Sequence, residues 1–167
     1  MSDPEPFAVV VERDNADPAV AVRLQRAMEE LDMGELFGEH LGRLFEHAQA
    51  HGLQAGPPYA RYYEFGPEQA DIEIGLPIDE PASDLAPVDP ATDAEIGSSE
   101  LPSGRCAVTV HVGAYEELGR TYRALEEWIS ANAHKAAGAP WESYLVMPSD
   151  VGNDPSRLRT EISWPIS

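Results

Sequence analysis

GPPYARY at residues 56–62 and DIEIGLPI at residues 71–78 return later in the chain as GAPWESY at 138–144 and TEISWPI at 160–166. In each copy, the two segments are rich in aromatic and β-branched residues and lie on either side of a turn, as the strands of a hairpin do. A helical pattern precedes each hairpin, and strand patterns precede each helix. The sequence therefore predicts the order strand-strand-helix-strand-strand, twice.

Hydrophobic spacing places the remaining elements. Residues 7–13 and 19–24 are short β-branched runs around a turn, and 106–112 is a similar run in the second half. Apolar residues at helical spacing predict a first helix over 33–50. The apolar face of the second helix is marked by Tyr115, Leu118, Tyr122, Leu125, Trp128 and Ile129.

The first helix has a clear start and a weak interior. Asp32 and Glu35 suit a capping box at its N-terminus. Gly34, Gly38 and Gly42 each cost about 1 kcal/mol relative to alanine inside a helix. We therefore expect either close packing along this glycine row or loose first turns.

An acidic stretch that contains proline separates the two halves. Residues 79–100 hold three prolines, seven acidic residues and no Lys or Arg, so we expect a linker or mobile loop. The half-repeats then span about 7–78 and 101–166 within a single α+β domain of residues 1–167. Such a duplication suggests two similar sheets about a pseudo-twofold axis, with a groove at their junction.

Charge and composition limit the partners and the chemistry. Thirty Asp and Glu residues against eleven Lys and Arg give a formal net charge of −19, whereas nucleic-acid binding needs a basic face. The lone Cys106 excludes an internal disulfide, and no stretch approaches a membrane span or a signal peptide. Neither a P-loop nor a set of metal ligands is present. We expect a cytoplasmic protein with no cofactor, no metal, no nucleic-acid partner and no membrane partner.

The two copies differ at one informative position. Ala60 of the first copy is replaced by Glu142, a carboxylate in a strand that otherwise reads Trp, Tyr, Leu, Val and Met. Strand alternation puts Glu142 and Tyr144 on one face and Trp141 on the other, and a twofold axis would bring Tyr62 near them. One acid among aromatic rings suits an amphipathic cation. The alternative is a solvated strand residue or the partner of an arginine.

The same carboxylate also permits catalysis, because a partly desolvated glutamate can activate water beside a bound electrophile. Glu161 is a second candidate acid or base, although its counterpart Glu73 in the first copy favours a repeated structural role. Tyr115 fits a groove-lining position and a core position equally well. His47 and His51 stand four residues apart but lack a third metal ligand.

Taken together, three segments resemble a known family. These segments are AHGLQAGPPYARYYEFGPEQADIEIGLPI, LPSGRCAVTVHVGAYEELGRTYRALEEW and PWESYLVMPSDVGNDPSRLRTEISWPI. In them the chain is similar to the GyrI-like (gyrase-inhibitor-like) small-molecule-binding domains. Such domains are also found as effector-binding domains of AraC-type and MerR-type regulators. The resemblance covers about residues 7–166. It implies duplicated β-α-β-β (SH2-like) units that form a curved antiparallel sheet with two main helices and a central groove.

The resemblance also implies a ligand site. Multidrug-sensing members bind lipophilic cations through a buried glutamate among aromatic residues, and that glutamate matches Glu142. Leu158 stands where such a sensor can have a tyrosine, so the implied aromatic cage differs here. Regulators of the family carry a helix-turn-helix domain ahead of the sensing domain, whereas this chain starts with its first strand. We therefore expect a stand-alone binding protein.

Three hypotheses for function follow. The first is capture of hydrophobic, cationic small molecules by Glu142, Tyr144, Tyr62, Trp141, Tyr115 and Leu158. The alternative is hydrolysis of strained or activated electrophiles such as cyclopropane-containing toxins, with Glu142 and Glu161 as catalytic groups, because the family includes such hydrolases. The lowest-ranked is an acidic protein that inhibits a DNA-handling enzyme, as the family's gyrase inhibitors do.

Overall fold

The protein has an α+β structure whose strands pair in antiparallel fashion within each of the two units described below. The computed structural model describes residues 6–152 and 154–167. Its strands and helices are β1 (Val9–Arg13), β2 (Asp17–Ala27), α1 (Met33–Ala50), β3 (Tyr59–Phe65), β4 (Gln69–Pro77), β5 (Gly97–Leu101), β6 (Gly104–Val112), α2 (Leu118–Ala131), β7 (Trp141–Val146) and β8 (Arg159–Pro165). Short 3-10 turns connect several of them.

The strands fall into two compact units, each with one helix. The first unit combines the chain up to Asp14 with Gly104–Ser167, and the second unit is Asn15–Ser103. The strand order is β1-β6-β8-β7 in the first unit and β3-β4-β2-β5 in the second. The two N-terminal strands, which the sequence places around one turn, therefore belong to different units.

In the first unit, α2 packs on one face of the strands. Leu125 and Ile129 of the helix share a buried cluster with Ala107 of β6 and Ile162 of β8. The two helical residues are four apart and therefore lie on the same side of α2. Burying side chains of this size stabilises the fold by about 1.5–3 kcal/mol each, so this cluster fixes the helix on the strands.

In the second unit, β2 and β4 are the central strands and pair over nine residues, from Ala19↔Pro77 to Ala27↔Gln69. Both strands are buried or half-buried along most of their length, and β4 buries the carboxylates of Asp71 and Glu73 together with its apolar side chains. Their largest fully buried apolar side chains are Val20, Val22, Leu24, Ile72, Ile74 and Leu76.

The helix predicted over residues 33–50 is confirmed as Met33–Ala50. Asp32 caps it, accepting a hydrogen bond from the Glu35 backbone N–H at 3.0 Å. The stretch predicted as a linker or loop is in part a strand, because its end forms β5, which pairs with β2. The sequence of β5, GSSEL, holds few residues that favour strands, and its backbone pairing with β2 supplies the order instead.

The glycine row of α1 faces open space at two positions. A Cβ atom at Gly38 or Gly42 would meet no atom within 4 Å, so close packing is not the reason for these glycines. We expect Gly38→Ala and Gly42→Ala each to raise the free energy of unfolding by about 0.5–1 kcal/mol, because alanine has the better helix propensity and a less flexible unfolded chain. Urea denaturation measures the change.

Gly52 provides the matched control for these two variants. It also has open space around it, but its φ is +65°, a conformation that costs alanine free energy. Gly52→Ala is therefore expected to lower stability. If Gly38→Ala and Gly42→Ala failed to stabilise the protein, the low helix propensity of glycine would not be what limits the stability of α1.

His40 is a buried titratable group on α1, with 2% of its surface exposed. Its Nδ1 lies 3.0 Å from Arg43 Nη1, so the neutral ring accepts there. Its Nε2 has no hydrogen-bond partner among the described residues. Burial lowers the pKa of His40, Glu39 opposes that shift, and Arg43 adds to it.

The buried histidine predicts a loss of stability in mild acid. The pKa of His40 is lower in the folded protein than in the unfolded chain, where it is about 6.5. The stability that the neutral ring contributes is therefore fully present above about pH 6.5 and is progressively lost as the pH falls below that value. The stability advantage of the wild type over His40→Asn should shrink between pH 7.5 and 5.5, by at most about 1.4 kcal/mol per pH unit. Denaturation of both proteins across this range measures it, and a constant difference would contradict the prediction.

Candidate functional site

Glu142 is a buried carboxylate on β7, with 4% of its surface exposed. The Tyr144 hydroxyl donates a hydrogen bond to its Oε1 at 2.8 Å, and the Tyr122 hydroxyl donates one to its Oε2 at 2.7 Å. Tyr144 lies two residues along the same strand and therefore on the same face. Tyr122 comes from α2. Both carboxylate oxygens are thus held by phenols from two different elements.

The apolar face of α2 brings Tyr122 to this carboxylate. Glu142 stands opposite Ile162 in the pairing of β7 with β8, and Ile162 shares a buried cluster with Leu125. Tyr122 lies three residues before Leu125 and on the same side of the helix. The packing that holds α2 on the strands therefore also places the phenol beside Glu142.

Two further rings surround the carboxylate and its phenols. Tyr115, in the 3-10 turn before α2, meets Tyr144 edge-on with 6.0 Å between ring centroids. Trp164 of β8 meets Tyr122 edge-on, also at 6.0 Å. Burial, and secondly the Glu142 carboxylate, raise the pKa of Tyr115, which further disfavours the ionised form of its hydroxyl. We call these five residues the Glu142 cluster.

The Glu142 cluster combines one carboxylate with four aromatic rings. A unit positive charge 4 Å from a carboxylate gains about 4 kcal/mol at an effective dielectric constant of 20. Each ring face that the cation contacts adds about 0.5–2 kcal/mol. The cluster therefore combines the two kinds of group, an anion and aromatic ring faces, that attract an organic cation.

Two residues named from the sequence lie on the faces of β7 and β8 that point away from Glu142. Trp141 is buried, and the Arg13 guanidinium lies 5.2 Å from its ring centroid. Glu161 is half-buried and stands opposite Ser143, whose side chain alternates with that of Glu142.

The other residues named from the sequence are Leu158, Tyr62, Tyr144 and Tyr115. Leu158 is buried, and its carbonyl accepts a hydrogen bond from the backbone N–H of Gly113 at 2.9 Å, just before the turn that carries Tyr115. Tyr62 belongs to the second unit and meets Phe65 edge-on at 5.3 Å. Tyr144 and Tyr115 are the predicted aromatic residues that join the Glu142 cluster.

Sequence reasoning used Tyr122 only as a mark of the helical face, and it did not single out Trp164. A signal for Tyr122 was present, because a buried carboxylate needs hydrogen-bond donors. Tyrosine both packs and donates, and Tyr122 is a tyrosine on the apolar face of α2. No comparable signal pointed to Trp164.

A second buried carboxylate, Glu73, lies on β4 in the second unit. It accepts hydrogen bonds from Tyr59 Oη at 2.5 Å, Ser99 Oγ at 2.9 Å and Tyr63 Oη at 3.3 Å. Burial raises the pKa of Tyr59 well above its ordinary value, and the Glu73 carboxylate adds to the shift. Sequence reasoning gave Glu73 and Glu161 one repeated role, but the first is fully buried and the second half-buried.

The side chains and helices in the part of the chain that the structure describes bear on metal binding and membrane insertion. Within it, no group of three or more His, Cys, Asp or Glu side chains is arranged to hold a metal ion. No helix in that part has both the length and the apolar character that a membrane span requires.

The chain matches one family model, described as the GyrI-like small molecule binding domain, over residues 8–167. No curated protein sequence matches the chain.

Several solved structures share the fold. The C-terminal domain of EcmrR is 19% identical with a TM-score of 0.76, and the match covers 96% of each chain; in an EcmrR–DNA complex the chain spans 57% of the EcmrR chain. A hydrolase from Listeria innocua is 13% identical with a TM-score of 0.64, covering 99% of this chain and 94% of that one. SAV2435 bound to tetraphenylphosphonium is 12% identical with a TM-score of 0.57, and the match covers 96% of this chain and 93% of that one. At these identities the likeness establishes the fold.

Proposed function

Because the chain belongs to the family of GyrI-like small-molecule-binding domains, we propose that it binds hydrophobic organic cations and that the Glu142 cluster is the binding site. The observation that carries this proposal is a buried carboxylate held by two phenols among four aromatic rings. The fold neighbour SAV2435 is bound to tetraphenylphosphonium, an aromatic cation of this kind, which supports the assignment.

The physical basis is the low polarity around Glu142. A charge interaction that is weak in water strengthens where solvent is excluded, and the aromatic rings exclude it here. Tyr115, Tyr122 and Trp164 are half-buried, so their rings are the parts of the cluster that a ligand contacts first. A lipophilic cation places its apolar groups against these rings and its charge near the carboxylate.

Titration with tetraphenylphosphonium tests the proposal. We expect saturable one-to-one binding with a Kd of about 1 μM, followed by calorimetry and by tryptophan fluorescence, since Trp164 lies in the cluster. Triphenylphosphine oxide, which is aromatic but neutral, is the matched control and should bind at least about tenfold more weakly. Equal affinity for the two compounds, or no saturable binding of the cation, would overturn the proposal.

Hydrolysis of strained electrophiles is a second candidate, favoured by the shared fold with a hydrolase from Listeria innocua. In such a step the Glu142 carboxylate accepts a proton from water while the water oxygen bonds to a cyclopropane carbon, and it later gives this proton to the enolate that ring opening forms. The electron pair of the breaking carbon–carbon bond moves into a conjugated carbonyl of the substrate. The phenols of Tyr122 and Tyr144 are better placed than Glu161 to assist, because Glu161 lies on the other face of β8.

Turnover separates a catalyst from a binding protein. A cyclopropane-containing electrophile is supplied at about a hundredfold excess over protein, and the hydrated product is counted by mass spectrometry. Many equivalents of product per protein molecule would establish catalysis. Product at the uncatalysed level would leave binding as the function.

A further inference from the structure

Thr160 on β8 is fully buried, and its Oγ1 has no hydrogen-bond partner among the described residues. A buried hydroxyl without a partner costs free energy, because in the unfolded chain it bonds to water. Such groups are uncommon in folded proteins and call for a specific explanation. A group that satisfies this hydroxyl only in a complex is one such explanation.

The strand register places Thr160 beside the Glu142 cluster. Thr160 stands opposite Tyr144 of β7 on one side and opposite His111 of β6 on the other. Directly opposed residues of antiparallel strands project from the same face, with their Cβ atoms about 4.5–5.5 Å apart. Thr160 is therefore the cross-strand neighbour of a phenol that donates to Glu142.

The polar groups next to Thr160 are engaged elsewhere. His111 Nδ1 lies 2.7 Å from the Thr121 hydroxyl, and its Nε2 lies 2.8 Å from the carbonyl oxygen of Ala114. The Tyr144 hydroxyl gives its proton to Glu142. The side chains on either side of Thr160 thus direct their hydrogen bonds away from it.

We propose that the Thr160 hydroxyl hydrogen-bonds a polar substituent of the bound molecule, so that the site prefers aromatic cations that carry a hydroxyl or carbonyl group over purely hydrocarbon ones. This inference rests on the proposed function and specifies its ligand class. The charge is met by Glu142, the apolar part by the rings, and the substituent by Thr160. A single neutral hydrogen bond of this kind changes affinity by about three- to tenfold.

The variant Thr160→Val tests this role, because valine has the shape of threonine without the hydroxyl. Wild type and variant are titrated with tetraphenylphosphonium and with the ortho, meta and para isomers of (hydroxyphenyl)triphenylphosphonium, which differ from it by one hydroxyl. We expect Thr160→Val to bind at least one hydroxylated isomer about three- to tenfold more weakly. Its affinity for tetraphenylphosphonium should change by less than about twofold.

Two further measurements keep the interpretation specific. Thr160→Ser retains the hydroxyl and should retain the preference for the hydroxylated isomer. The melting temperature of ligand-free Thr160→Val should equal or exceed that of the wild type, because the variant buries no unsatisfied hydroxyl. A loss of affinity in a variant of undiminished stability cannot come from unfolding.

The outcomes separate this inference from the proposed function. If the wild type binds tetraphenylphosphonium and Thr160→Val binds every isomer as the wild type does, the role of Thr160 is refuted and the binding function stands. If Thr160→Val weakens the binding of all four compounds equally, Thr160 acts through packing, and the inference is also refuted. If the wild type binds none of them, the proposed function fails, and the inference with it.

Discussion

Replacing Glu142 by glutamine is expected to weaken tetraphenylphosphonium binding by about a hundredfold to a thousandfold. The change removes one negative charge from a buried position, where a cation 4–5 Å away gains about 3–4 kcal/mol at an effective dielectric constant of 20, and each tenfold in affinity corresponds to about 1.4 kcal/mol. Glutamine has the same shape, and its amide can accept from one phenol and donate to the other. The variant should therefore fold. Calorimetry on both proteins measures the loss.

The control is Glu127→Gln, which makes the same change in net charge at an exposed position of α2. We expect it to alter the affinity by less than about twofold, because solvent and salt screen exposed charges. Binding of neutral triphenylphosphine oxide should be the same in both variants. If Glu142→Gln and Glu127→Gln weakened binding of the cation equally, the attraction would come from the overall charge of the protein, and Glu142 would not be part of the site.

Gly75→Ala is expected to lower the free energy of unfolding by about 3 kcal/mol. Gly75 stands opposite Tyr59 in the pairing of β3 with β4, and an alanine Cβ would lie 2.5 Å from the Tyr59 hydroxyl oxygen and 2.6 Å from its Cζ. The ring is fully buried and its hydroxyl donates a hydrogen bond to Glu73, so moving the ring aside also disturbs that hydrogen bond. Overpacking costs about 1–3 kcal/mol, and a disturbed buried hydrogen bond adds to it.

Gly56→Ala is the matched control in the same unit. Its Cβ would lie 3.7 Å from the Cβ of Pro77, an ordinary contact, so we expect a change within about 0.5 kcal/mol. Urea denaturation with tryptophan fluorescence compares the two variants. Equal stability of Gly75→Ala and Gly56→Ala would mean that the Tyr59 ring is free to shift, and that its bond to Glu73 does not hold it in place.

Local patterns in the sequence predicted much of the fold. The helix over 33–50 is confirmed because its apolar spacing and its Asp32 cap act within a few residues of chain. The repeated hairpins are strands β3, β4, β7 and β8, since aromatic and β-branched residues favour strands wherever they pair. The GyrI-like resemblance is confirmed by the family match over residues 8–167.

Long-range pairing was not visible in the sequence. β5, GSSEL, carries almost no strand signal, and its order comes from backbone pairing with β2. β1 pairs with β6, about a hundred residues along the chain, and is therefore part of the first unit. The choice of pairing partner depends on contacts between distant parts of the chain, and the residue types within one strand do not specify it.

For the site, the sequence by itself was enough to identify Glu142 as the unusual residue. Glu142 stands out because its counterpart in the other copy is Ala60, and strand alternation alone puts Tyr144 on the same face. Only the tertiary structure decided that Glu142 is buried and that Tyr122 and Trp164 complete its surroundings. The same holds for Thr160, whose unsatisfied hydroxyl appears only when three strands are aligned. The physical reason is that alternation is a property of one strand, whereas burial and hydrogen bonding depend on the elements that pack against it.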